Sequence, residues 1–159
     1  MHHGTEQAAN DPAQIEKVVL IGQGYVGLPV AMRAVEVGYD VVGIDSDAGR
    51  ANRLAAGESF VEDVTAERLA AALATGRYRA STDPADAAGF DICVITVPTP
   101  LRDGTPDLSY IEAAGRSIAP YLRKGATVIL ESTTYPGTTE ELLRPLLETG
   151  SGLSTPEDF

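Results

Sequence analysis

The residues best suited to chemistry form a glycine-rich turn at 22–27 (GQGYVG), directly after the apolar run 18–21. In such a turn Gly22 permits the tight bend, Gly24 lets the backbone approach a pyrophosphate, and Gly27 allows close packing of helix on strand. The N-terminus of the following helix offers unpaired N–H donors and a partial positive charge to the same anion. This spacing predicts a dinucleotide-binding βαβ unit.

An acidic residue, Asp45, directly follows the next apolar run, 41–44. A glycine-rich turn alone also serves as an ordinary strand-to-helix connection, but an acidic residue at this distance strongly favours the dinucleotide site. Its carboxylate would accept hydrogen bonds from the adenosine ribose diol and repel a 2′-phosphate. Residues 46–49 (SDAG) supply no cation to offset that repulsion. We therefore expect NAD rather than NADP.

Four other polar side chains leave two interpretations open. Arg50 lies within a helical turn of Asp45 and either reaches a phosphate or the adenine ribose edge, or is a solvated helix arginine. Thr99 and Thr133 follow strands, where threonine either contacts a ligand or caps the next turn. Glu131 also ends a strand, where it is suited equally to proton transfer and to pairing with a basic residue.

The single cysteine, Cys93, excludes an internal disulfide and a multi-cysteine metal site. Its apolar neighbours place it in the middle of a buried strand, where a raised pKa and poor access favour a core residue over a nucleophile. The two histidines, His2 and His3, lie in the N-terminal tail, where a cloning remnant explains them better than a metal site. We expect no metal, and this chain shows no complete catalytic machinery of its own.

Alternating apolar and helical segments predict the elements that position these residues. The predicted strands are 17–21, 40–44, 78–81, 91–97 and 127–131, and the predicted helices are 26–37, 47–56, 65–74, 83–88, 109–122 and 138–147, the last bent near Pro145. We expect residues 1–14 to be a disordered tail and residues 15–159 to form one α/β domain.

The predicted domain is Rossmann-type, with a doubly wound, mostly parallel sheet and helices on both faces. The strands at 91–97 and 127–131 are apolar enough to be buried on both sides. The turn at 22–27, Asp45 and the residues that follow the two buried strands would then meet in one crevice at the carboxyl ends of the strands.

Composition narrows the class of partner. The chain has 159 residues, a net charge of −11 and 43% hydrophobic residues, which suits one domain with a real core. Because so acidic a chain is repelled by phosphate backbones, we expect neither nucleic acid nor an anionic membrane as a partner. No stretch approaches the roughly 20 apolar residues of a membrane span, and the first residues lack a signal-peptide core. We therefore expect a cytoplasmic protein.

Five segments in order carry a family resemblance. They are 21–29 (IGQGYVGLP), 42–45 (VGID), 97–100 (VPTP), 106–110 (PDLSY) and 130–139 (LESTTYPGTT). Together they resemble the nucleotide-sugar dehydrogenases, the 6-dehydrogenases of UDP-glucose, GDP-mannose and UDP-N-acetylhexosamines, from about Ile15 to Phe159. The last segment is more similar to the UDP-N-acetylglucosamine and UDP-N-acetylmannosamine branch than to the UDP-glucose branch.

The resemblance implies NAD-dependent oxidation of a sugar C6 alcohol to a carboxylate in two hydride transfers, through an aldehyde and a thioester on a catalytic cysteine. Carried over by position, the cofactor contacts fall on Gly22, Gly24, Tyr25, Val26, Gly27, Asp45, Arg50, Val97, Pro98, Thr99, Ser132 and Thr133. Backbone contacts to the pyrophosphate are implied for Tyr25 and Val26. Thr133 is implied to lie near the nicotinamide, where it helps to position substrate or a catalytic water.

The family's catalytic cysteine, lysine and asparagine belong to a central helix and a second domain that would follow Phe159, and Cys93 does not match that cysteine. The resemblance thus implies the N-terminal domain of a larger enzyme, whose second domain holds the UDP-sugar. We expect this chain alone to be inactive and monomeric, and the whole protein to be a homo-oligomer. A β-hydroxyacid dehydrogenase and a non-catalytic NAD-binding regulatory module remain the alternatives.

Overall fold

The strands and helices follow the α/β alternation that the sequence predicts. A computed structural model describes residues 15–159, so the predicted tail at 1–14 lies outside the described residues. The strands are β1 (Lys17–Ile21), β2 (Asp40–Ile44), β3 (Tyr78–Ser81), β4 (Ile92–Ile95), β5 (Leu101–Arg102), β6 (Thr105–Pro106) and β7 (Thr127–Leu130). The α-helices are α1 (Gly27–Glu36), α2 (Ala48–Ala55), α3 (Ala66–Ala74), α4 (Ser109–Ile118) and α5 (Arg144–Ser151). Short 3₁₀ segments lie at Pro84–Ala87 and Ala119–Tyr121, and a π-helical turn lies at Thr139–Leu143.

Five of the strands form a parallel sheet in the order β3-β2-β1-β4-β7. The chain winds outward from β1 to β3 and then returns to the other side of β1, which makes the boundary between β1 and β4 a topological switch point. Ile21 pairs with both Ile44 and Ile95, so β1, β2 and β4 end at one level. Ligands of doubly wound sheets bind at such a point, beyond the carboxyl ends of the strands. The predicted fold class is confirmed.

Two apolar clusters cover the two faces of the sheet. Alternate residues of β1 take part in each: Val19 and Ile21 pack on the side of α4 and α5, whereas Val18 and Leu20 pack on the side of α1 and α3. All four are buried, which explains why this strand is a continuous apolar run instead of an alternating one. Helices therefore lie on both faces, and they hold the strand ends in fixed positions.

The strand β7 departs from the sequence prediction. It pairs with β4 and, within residues 15–159, has no partner on its other side. Its residues alternate between exposed and half-buried, and Ile129 is 41% exposed. The expectation that this strand is buried on both faces is wrong, because apolar composition does not distinguish a central strand from an edge strand.

Two further predictions needed correction. The last helix does not stop at Leu147 but continues to Ser151, where Gly152 adopts the left-handed conformation (φ 73°) that ends many helices. Pro145 lies in the first turn of α5, where its missing N–H costs no helical hydrogen bond. The segment expected to be a loop after Pro100 contains the hairpin β5-β6, whose two-residue turn has positive φ at Asp103 and Gly104.

The remaining elements lie close to their predicted bounds, except that β4 ends at Ile95 instead of residue 97 and α4 ends at Ile118 instead of residue 122. The helices predicted from Asp47 and Thr65 begin one residue later, because these two side chains accept hydrogen bonds from the N–H groups of Arg50 and Arg68 and so act as N-caps. Among residues 15–159, no helix combines the length and the apolar character needed to cross a bilayer.

Gly27 provides a test of the close packing at the start of α1. A Cβ there would overlap the carbonyl oxygen of Gly22 and would lie 2.5 Å from Oγ1 of Thr96. Overpacking of this kind costs about 1–3 kcal/mol. We expect Gly27→Ala to lower the free energy of unfolding by that amount in chemical denaturation. An unchanged midpoint would contradict the packing described for this turn.

Candidate functional site

The glycine-rich turn is fixed to two neighbouring strands. Gly22 has φ 94°, and its N–H donates to the carbonyl oxygen of Ile44 at the end of β2 (2.7 Å). The hydroxyl of Thr96, which follows β4, donates to the carbonyl oxygens of Ile21 (3.0 Å) and Gly22 (2.8 Å). A Cβ on Gly22 would lie 2.8 Å from the carbonyl oxygen of Thr96, so glycine is needed both for conformation and for space.

The second half of the turn faces open space. A Cβ on Gly24 would meet no atom within 4 Å among the described residues. Tyr25 and Val26 are 75% and 54% exposed. In the described part of the chain no side chain caps the first turn of α1, and that turn has no acidic residue. The uncapped N–H groups can therefore bind an anion from the cleft.

Asp45 is 5% exposed, and its carboxylate is oriented by main-chain donors. The N–H of Gln23 donates to Oδ2 (3.0 Å), and the N–H of Asp47 donates to Oδ1 (2.9 Å). Arg50 approaches the same carboxylate, with Nη1 3.8 Å from Oδ2. Each oxygen retains a lone pair for a further donor. The carboxylate is thus attached to the glycine-rich turn and can accept hydrogen bonds from a diol in the cleft.

Two arginines and an aromatic ring form the outer wall beside Asp45. The guanidinium carbons of Arg53 and Arg50 lie 5.4 and 6.0 Å from the ring centroid of Phe60, within the range of cation–π attraction. All three side chains line the cleft. For Arg50 the structure therefore favours the wall of the cleft over a freely solvated helix position.

The opposite wall is built from two loops that are bonded to each other. The hydroxyl of Thr99 donates to the carbonyl oxygen of Thr133 (2.6 Å). The hydroxyl of Ser132 donates to the carbonyl oxygens of Val97 (2.8 Å) and Ile95 (3.3 Å). These bonds join the loop after β4 to the loop after β7. They fix this wall although β7, within residues 15–159, has no sheet partner on its far side.

Together these elements enclose a cleft of about 940 Å³. That volume lies at the upper end of the range found for small-molecule sites. The cleft is lined by eleven of the twelve residues predicted as cofactor contacts: Gly22, Gly24, Tyr25, Val26, Asp45, Arg50, Val97, Pro98, Thr99, Ser132 and Thr133. Gly27 does not line the cleft but lies buried beneath the turn. Glu131 is exposed and also lines it.

Several residues of the site were not predicted from the sequence. Gln23 is fully buried, and its amide oxygen accepts from the hydroxyl of Tyr78 on β3 (2.7 Å). Thr96 supports the turn, and Phe60 lies in the long connection between α2 and α3. Gln23 was detectable as a polar residue inside a glycine-rich turn, but its partner is 55 residues away and no spacing rule links them.

Comparison with known proteins identifies the family of this chain. The model of the NAD binding domain of the UDP-glucose/GDP-mannose dehydrogenase family matches residues 16–159. A UDP-N-acetyl-D-mannosamine dehydrogenase from Pyrococcus horikoshii is 39% identical over 144 residues, covering 90% of this chain and 34% of that protein. One from Escherichia coli K12 is 41% identical over 142 residues, covering 88% of this chain and 33% of that protein.

Two solved structures of dehydrogenases also resemble this chain. A UDP-D-ManNAc dehydrogenase from Pyrococcus horikoshii superposes with a TM-score of 0.85 at 38% identity, covering 90% of this chain and 34% of that one. An NDP-N-acetyl-D-galactosaminuronic acid dehydrogenase from Methanosarcina mazei Go1 gives 0.84 at 30% identity, covering 92% and 34%. This chain thus spans about a third of the length of these relatives.

The fold and the cleft define a dinucleotide-binding domain of the Rossmann type. More particularly, the chain belongs to the UDP-glucose/GDP-mannose dehydrogenase family and corresponds to the NAD-binding domain of that family. The resemblance seen in the sequence and the predicted cofactor, NAD, are confirmed. The division at residue 15 and the individual cofactor contacts stay predictions.

Cys93 provides a test of the core beneath the cleft. It is fully buried on β4, and burial raises the pKa of its thiol well above the ordinary value. Because only the thiolate reacts readily, we expect iodoacetamide to modify the native protein very slowly at neutral pH and rapidly in denaturant. Intact mass against time measures both rates. Rapid modification of the folded protein would contradict the buried position.

Proposed function

We propose that this chain binds NAD for an NAD-dependent nucleotide-sugar 6-dehydrogenase whose substrate is a UDP-N-acetylhexosamine. Gly24 carries the cofactor part of this proposal. Its backbone φ does not require glycine, and no described protein atom lies where a Cβ would be. The space is therefore kept free for something that the protein does not itself contain, at a helix N-terminus suited to a pyrophosphate.

The family resemblance implies a role for each of these residues, and their places along the cleft support those roles. The main-chain N–H groups of Tyr25 and Val26 would bind the pyrophosphate. Asp45 would accept hydrogen bonds from the adenosine ribose, and Arg50 would lie along the adenosine. A buried carboxylate that is already bonded to two N–H groups is preorganised, so little further ordering is needed when the diol binds.

The wall made by the loops after β4 and β7 would hold the nicotinamide end. Thr99 would border the cofactor together with Val97 and Pro98, and the hydroxyl of Ser132 fixes the backbone of Val97. Thr133 would lie near the nicotinamide and help to position substrate or a catalytic water. A nicotinamide held there would supply the hydride acceptor for oxidation at the sugar C6. The residues of this chain bind and orient the cofactor for that transfer.

The substrate class rests on the relatives. The relatives named above include dehydrogenases of UDP-N-acetyl-D-mannosamine and of NDP-N-acetyl-D-galactosaminuronic acid. The nucleophile and most contacts to the sugar would belong to other parts of the whole protein. We further propose that the whole enzyme is a homo-oligomer in the cytoplasm, where its charged cofactor and substrate are found, and that this chain alone is a monomer.

Gly24→Ala tests the cofactor assignment. The added methyl group meets no atom of residues 15–159, so we expect the free energy of unfolding not to fall. It would crowd the pyrophosphate, and overpacking costs about 1–3 kcal/mol, so the Kd for NAD should rise at least about fivefold. Calorimetric titration measures the affinity, and the unfolding midpoint is the internal control. Unchanged NAD affinity would show that the turn does not hold the phosphates.

A substrate panel tests the activity. The whole protein from which this chain comes should produce NADH with UDP-N-acetylmannosamine or UDP-N-acetylglucosamine in preference to UDP-glucose. NADH formation with two equivalents per sugar would fit oxidation to the carboxylate. Preferential turnover of a small hydroxyacid, or NAD binding without turnover of any nucleotide sugar, would contradict the proposed activity.

A further inference from the structure

Gln23 makes an unusual connection across the sheet. It stands in the glycine-rich turn after β1, yet its side chain is fully buried and crosses β2 to reach Tyr78 on β3. Its amide nitrogen donates to the carbonyl oxygen of Gly22 (3.1 Å), and its amide oxygen accepts from the hydroxyl of Tyr78 (2.7 Å). Both ends of the buried amide are therefore bonded, as a buried polar group requires.

The space for this side chain is provided by Gly43 on β2. A Cβ on Gly43 would overlap Oε1 of Gln23 and would lie 2.9 Å from its Cγ. Gly43 has no positive φ that would demand glycine, so the requirement is one of space alone. The Gln23 side chain thus lies directly on the backbone of β2, the strand that Asp45 follows.

The main chain of the same residue orients the ribose-binding carboxylate. The N–H of Gln23 donates to Oδ2 of Asp45 (3.0 Å), whereas the other donor, the N–H of Asp47, belongs to the local turn after β2. Tyr78 is 4% exposed, and burial together with the nearby charge of Asp45 raises the pKa of its hydroxyl. Tyr78 therefore stays protonated and remains a donor to Gln23.

We propose that Tyr78 is a positioning residue for recognition of the adenosine ribose, acting through Gln23 on the carboxylate of Asp45. This inference rests on the proposed function, because it presumes that Asp45 binds the ribose diol. The hydroxyl of Tyr78 fixes the side chain of Gln23, and the fixed side chain holds the Gln23 N–H against Oδ2. Without that anchor the carboxylate loses one of the two donors that set its plane.

The test compares NAD with an analogue that lacks the adenosine 2′-hydroxyl. For the unchanged chain we expect NAD to bind about tenfold more tightly than the analogue, the equivalent of one hydrogen bond to a charged group. Tyr78→Phe removes only the hydroxyl, and Gln23→Leu replaces the amide group with apolar methyl groups. In both variants NAD affinity should fall about five- to tenfold, while affinity for the analogue changes less than about twofold.

Matched controls separate positioning from stability. Tyr39 packs against the same apolar cluster as Tyr78, and among residues 15–159 its hydroxyl has no hydrogen bond to the glycine-rich turn. Tyr39→Phe should leave the ratio of the two affinities unchanged. Gly43→Ala should displace Gln23 and lower both the unfolding midpoint and the ratio. Adding Gln23→Ala to Gly43→Ala should restore the midpoint but not the ratio.

The outcomes distinguish the two proposals. If the unchanged chain binds NAD and the analogue equally, Asp45 does not bind the 2′-hydroxyl and the proposed ribose contact itself is wrong. If the unchanged chain distinguishes the two but Tyr78→Phe and Gln23→Leu distinguish them equally well, the ribose contact stands and the positioning role of Tyr78 is overturned. A loss of affinity for both ligands in proportion would also overturn it, because a purely structural defect acts on both alike.

Discussion

One buried carboxylate, that of Asp45, links the turns that follow two neighbouring strands of the cofactor cleft. Asp45 accepts the N–H of Gln23 from the turn after β1 and the N–H of Asp47 from the turn after its own strand. Gly22 adds a second link between the same two strands, because its N–H donates to the carbonyl oxygen of Ile44. A buried charge without such donors would carry a large desolvation cost. The carboxylate proposed to bind the ribose therefore also ties the turns after β1 and β2 to each other.

Local dipoles explain how so acidic a chain binds a dinucleotide. The net charge is −11, so the long-range field repels phosphate. The turn after β1 nevertheless presents main-chain N–H groups at the uncapped start of α1, and the first turn of that helix carries no acidic residue within the described part of the chain. Hydrogen bonds at close range outweigh a distant field that salt screens. The negative charge that matters, on Asp45, lies where a ribose diol rather than a phosphate is expected.

Local sequence patterns explain which strand and helix bounds could be predicted. β1 and β2 have the predicted bounds because their apolar runs end directly before Gly22 and Asp45. Asp47 and Thr65 mark helix starts through their own side chains. Burial of β7 was not predictable, since it depends on how many strands lie beyond it. The Gln23–Tyr78 bond was equally hidden, because it joins residues brought together only by strand order. The Asp103-Gly104 pair was a visible hairpin signal that the prolines nearby obscured.

The most direct measurement is a calorimetric titration of this chain with NAD and with NADP, repeated for Asp45→Asn and for the matched variant Asp47→Asn. We predict that NAD binds at least about tenfold more tightly than NADP, since the loss of a hydrogen bond to a charged group alone accounts for about that factor. The difference should largely disappear in Asp45→Asn and persist in Asp47→Asn, which removes a nearby charge but keeps an acceptor for the N-cap. Equal affinity for both cofactors, or a preference for NAD that survives in Asp45→Asn, would contradict this prediction.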